Sequence, residues 1–74
     1  MASKMGEHRG WTIRVTPHEN DKTWTAIVEV WPPKLDHRIY GAIVVPFTRS
    51  SGDEAEIIDS GLATARRYID QVAR

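Results

Sequence analysis

The chain has 74 residues, ten basic and ten acidic side chains, no cysteine and a formal charge of zero. That length holds one domain, whose single core supplies roughly 3–5 kcal/mol and is commonly supplemented by association. The missing cysteines exclude a disulfide framework and thiolate metal sites, as suits a reducing cytoplasm, and the charge balance lacks the basic surplus of a strong nucleic-acid binder. Residues 1–50 carry seven Lys/Arg and five Asp/Glu against three and five in 51–74, a dipole too small to decide a partner.

From the N-terminus, Met1 to Arg9 are polar and lack the apolar centre of a secretory signal. Residues 1–9 are therefore expected to be a disordered tail and 10–74 a single domain. The first strand is expected over Trp11–Thr16, where Trp11, Ile13 and Val15 alternate with Thr12, Arg14 and Thr16. Pro17 removes a donor and should end it. His18 to Lys22 then reads as a polar hairpin turn, with Asn20 and Asp21 suited to left-handed backbone angles.

The second strand spans Thr23–Trp31. Trp24, Ala26, Val28 and Val30 form a uniformly apolar phase and should face the core. Thr25, Ile27, Glu29 and Trp31 form the outward phase. Pro32 and Pro33 stop the strand, and a loop continues through His37. A third strand is expected from Arg38 to about Phe47, with Ile39, Gly41, Ile43, Val45 and Phe47 inward. Pro46 makes it an edge strand or a bulged one.

After the loop Thr48–Gly52, the residues Ala55, Ile58, Leu62, Ala65, Ile69 and Val72 recur at steps of three and four, the spacing of one helix face. Ser51 or Asp53 would be the N-cap, with capping-box spacing to Glu54 or Glu56. Gly61 costs about 1 kcal/mol in a helix interior, so its place beside the stripe suggests a close approach to the sheet. The expected fold is α+β: a three-stranded antiparallel meander with one C-terminal helix across one face, βββα.

One helix covers one face, so the other should display Arg14, Ile27, Trp31, Tyr40 and Val44, more apolar than a solvated face. Contiguous exposed apolar patches mark interaction sites. These five residues are the expected interaction surface, with a second copy, packed face to face or continuing the sheet through a strand edge, or a small protein as partner. The rival reading folds Trp31 and Tyr40 over the face within the monomer. Nucleic acid stacked on the aromatics beside Arg14, Lys34 and Arg38 is a further alternative, disfavoured by Glu29 and the zero net charge.

No catalytic, cofactor-binding or metal residues are assigned, and the protein is read as a non-enzyme. His18, Glu19 and Asp21 share a turn but match no ligand signature. His8 and His37 lack an evident orienting partner. Ser50 and Ser51 have no base and no Gly-x-Ser-x-Gly elbow, and Glu54, Asp59 and Asp70 belong to the solvated helix face. Five scattered glycines form no phosphate loop. The longest apolar run, Ala42 to Phe47, is far short of the ~20 residues of a membrane helix, so the chain is expected in the cytoplasm and not in a membrane.

The segments Gly10-Trp11-Thr12-Ile13, Trp24-Thr25-Ala26, Phe47 and Gly61-Leu62-Ala63-Thr64-Ala65-Arg66-Arg67-Tyr68-Ile69-Asp70 resemble a group of small bacterial βββα proteins that brings no known activity. Gly52-Asp53-Glu54-Ala55 is similar to the acidic helix opening of the HicB-type antitoxin domain. That resemblance implies binding to a small toxin partner, usually beside a separate DNA-binding segment, which is expected to be absent because the chain ends with its helix.

Overall fold

A computed structural model describes residues 3–34, 36 and 39–73. The order of elements is β1 (Lys4–His8), β2 (Trp11–Asn20), β3 (Thr23–Trp31), β4 (Ile43–Val45) and α1 (Glu54–Val72). The four strands form one antiparallel meander in the order β1-β2-β3-β4, with α1 packed on one face. The α+β class is as expected, with one strand more than the sequence signalled.

The extra strand is β1. Residues expected to be a disordered tail pair in register with β2, from Lys4 opposite Val15 to His8 opposite Trp11. Its sequence shows no apolar alternation because it is an edge strand over a helix margin, where one position, Gly6, faces Leu62. The connection is a two-residue hairpin at Arg9 and Gly10, both with positive φ, as a primed type I turn requires. The β2–β3 hairpin repeats the device at Asp21 and Lys22, with φ 52° and 65°. The left-handed pair is thus one residue later than Asn20 and Asp21.

Pro17 does not end β2, which continues to Asn20 with Pro17 buried opposite Ala26. The described β1 pairing ends at Val15, so among the described residues Pro17 has one neighbouring strand, β3. That is the edge situation in which a sheet admits a proline.

Opposed residues share a face, so the register writes the core directly. Val15, Val28 and Val45 form one row and Ile13, Val30 and Ile43 the next. All but Ile43 are buried. The helix contributes Ile57, Gly61, Ala65 and Ile69. This corrects the expected stripe: the buried positions step by four, Ile58 and Leu62 are half-buried flanks, and Ala55 and Val72 are exposed. Gly61 decides the phase. A Cβ at that position would lie 2.8 Å from Val15 Cγ1 and 3.3 Å from Val15 Cγ2 and Val28 Cγ2, so the helix backbone rests directly on two strands.

Asp53 is the N-cap, its carboxylate accepting from the Ala55 N–H at 3.0 Å. Ser51 has another task. Its backbone exchanges two hydrogen bonds with Trp24, of 2.6 and 3.0 Å, and its Oγ accepts from the Asp53 N–H. The start of the helix is thereby fastened to the start of β3.

The third expected strand contracts to Ile43–Val45. Of its expected inward phase, Val45 is buried and Phe47 half-buried against the core, while Ile39, Gly41 and Ile43 are exposed. Its expected start at Arg38 and the His37 loop position lie outside the described residues. Ile43, in the row of the buried Ile13 and Val30, is itself exposed, and both apolar phases of the segment are left partly in solvent.

Candidate interaction surface

The sheet face away from the helix is organised by the same register. Met5, Arg14, Glu29 and Val44 lie in one row across all four strands. At its centre Arg14 donates from Nε to Glu29 Oε1 at 2.9 Å, and its Nη2 lies 2.8 Å from the same oxygen in an ion pair. The guanidinium carbon also lies 5.2 Å from the centroid of the Trp31 ring, a cation–π arrangement. Trp31 in turn donates its Nε1–H to the Tyr40 carbonyl at 2.8 Å.

Of the five residues expected to form an open patch, these contacts bring Arg14, Trp31 and the Tyr40 backbone together and close Trp31 alone. Trp31 is 2% exposed, a correction to its expected display. Alternation sets the direction of a side chain but not what returns over it, and the chain beyond Pro33 brings Tyr40 back to the indole. The covering of this face by the monomer's own residues, weighed above as a rival, describes Trp31. It does not describe the Tyr40 side chain, which is exposed. Ile27 and Val44 are exposed as expected, on neighbouring strands, with Ile27 opposite Thr16 and Val44 opposite Glu29.

What remains open lies chiefly to one side. Ile39 is 75% exposed, Tyr40 54%, Ile43 38% and Val44 64%. All four belong to β4 or to the residues leading into it. Sequence reasoning missed Ile39 and Ile43 by assigning them to the core, and missed Met5 by placing it in a tail. A usable signal existed: no charged residue occurs between Ile39 and Phe47.

Other polar groupings are small. At the β1–β2 turn, His8 Nε2 lies 2.8 Å from Asp70 Oδ1, and Arg9 Nη1 donates to the same oxygen at 3.3 Å. The His8 hydrogen bond foremost, with Arg9 behind it, holds the Asp70 carboxyl below the usual carboxylate range. A shallow groove of about 450 Å³ runs along Val45, Pro46, Thr64, Arg67, Tyr68 and Gln71. A second of about 440 Å³ crosses the solvent side of the helix between Arg49 and Arg67. Among the described residues no three His, Asp or Glu side chains converge as a metal site would need, and no buried side-chain polar atom lacks a hydrogen-bond partner. No described helix is long and apolar enough to cross a membrane.

By fold the chain is a small α+β meander carrying one helix and an apolar open edge. Neither family models, curated proteins nor solved structures offer a match to it. What it does must be read from its own residues.

Proposed function

We propose that this chain is a small interaction module that associates with itself through its sheet. One observation carries the reading: four of the seven exposed large apolar side chains among the described residues, Ile39, Tyr40, Ile43 and Val44, fall within six positions of the chain, the others being Met5, Ile27 and Val72. Single exposed hydrophobes are ordinary on soluble proteins, whereas contiguous ones mark contact surfaces. The small core supports the reading independently, because association adds apolar burial to it.

A protein partner is favoured over nucleic acid by the state of the aromatic platform. Stacking needs an open ring with a cation free to meet phosphate. Trp31 is buried, and Arg14 is paired with Glu29.

Light scattering on a sizing column, across a concentration series, tests the proposal. Mass should rise from monomer towards dimer with concentration. Val44→Lys should hold the protein at monomer mass while its helical circular dichroism stays unchanged. A monomer at every concentration overturns the reading.

A further inference from the structure

The geometry points to a particular mode of pairing: β4 lies antiparallel to β4 of a second copy about a two-fold axis, joining two four-stranded sheets into one. This rests on the self-association reading above and specifies its surface.

The two open edges of the sheet are chemically unlike. β1 presents Lys4, Glu7 and His8 along its five residues, and charged side chains are how proteins keep an edge from pairing. β4 presents Ile43 and Val44, with Val45 turned into the core, and the uncharged run extends from Ile39 to Phe47. Among the described residues β4 pairs with β3 alone, and no described strand lies along its outer side, where a strand's backbone donors and acceptors are left for a neighbour.

The absence of charge also selects the occupant. A two-fold contact sets a patch against itself. On a charged edge that operation opposes like charges. On this one it sets apolar side chains against apolar side chains, so the edge complements its own copy without an unlike partner of matching sign. The ladder is short, since Pro46 closes it after three residues. Side-chain contact from Ile39 and Tyr40 must therefore flank it, and both are exposed where the chain enters the strand.

The cysteine-free chain makes the test direct. Antiparallel neighbours have Cα atoms about 4.5–5.5 Å apart. A disulfide spans at most about 7 Å between Cα atoms, and sheets stacked face to face stand about 10 Å apart. Single-cysteine variants Ile43→Cys and Val44→Cys, alone and mixed, should form covalent dimers under mild oxidation. At least one combination should cross-link tenfold faster than Glu56→Cys on the exposed helix surface, which reports chance encounter, and Ile27→Cys on the open face should match that background. A concentration-dependent dimer in which no edge combination exceeds background overturns the edge geometry and leaves self-association standing. If unmodified protein stays monomeric throughout, both proposals fall.

Discussion

Replacing Gly61 by alanine reverses the usual sign of that exchange. In an exposed helix interior, alanine in place of glycine stabilises by about 1 kcal/mol, through chain entropy and propensity. At Gly61 the new methyl would stand 2.8 Å from Val15 Cγ1, with two further methyls at 3.3 Å. Val15 and Val28 are fully buried, and a β-branched side chain has few rotamers to which it can retreat. Nor can the helix lift cheaply, because Ile57, Ala65 and Ile69 are packed on either side of the contact. Overpacking of this kind costs about 1–3 kcal/mol, and three simultaneous close contacts place Gly61→Ala near the upper end. After subtracting the propensity gain, a net loss of about 1–2 kcal/mol remains. For a domain of this size that lowers Tm by roughly 4–16 °C. Thermal unfolding followed at 222 nm measures it. The partner substitution Val15→Ala removes both nearest methyls, so the double variant should be more stable than the sum of the singles by about 1 kcal/mol. A rise in Tm for Gly61→Ala alone would falsify the placement of the helix backbone on Val15.

Two smaller predictions follow from the turns and the surface. Lys22 holds a positive φ in a two-residue hairpin, a conformation that costs a side-chain-bearing residue about 1–2 kcal/mol. Lys22→Gly should therefore raise stability by about 0.5–1 kcal/mol in urea unfolding; a loss of stability contradicts the turn geometry. Asp70 titrates below its ordinary value of 3.8, so its contacts with His8 and Arg9 stabilise the fold above that pH and are lost as the pH falls through the folded value. Asp70→Asn should leave a shallower decline of Tm between about pH 5 and 2 than the parent shows, and identical acid limbs count against the His8–Asp70 contact.

Much of the architecture is legible in the chain because burial and period coincide there. β2 and β3 alternate cleanly since one face meets the helix, and the helix announces itself through a cap and an apolar stripe. Its phase is harder to read. The residue of closest approach is a glycine, which contributes no hydrophobic signal, so the stripe drifts towards Ile58 and Leu62 and away from Ile57 and Gly61. β1 is hidden for a related reason: its order comes from pairing with β2 through the Arg9-Gly10 turn, not from an apolar face of its own. Of the candidate surface, Ile27 and Val44 follow directly from alternation. Trp31 does not, because its burial depends on Arg14 from a different strand and on a carbonyl nine positions later in the chain.

The paired backbone hydrogen bonds between Trp24 and Ser51 have an evolutionary corollary. They staple the helix entrance to the start of β3, so the chain between them, most of β3 and then the segment through β4, leaves and returns to one fixed base, and the part beyond Trp31 is a closed excursion from it. Lengthening such an excursion costs little, since loop-closure entropy grows only with the logarithm of length. Substitutions at the exposed Ile39, Tyr40, Ile43 and Val44 can accordingly change the character of this surface while the register of β2 with β3 and the seat of Gly61 stay as they are. The fold thus divides into a packed frame, where a substitution disturbs the core, and an exposed rim, where it does not.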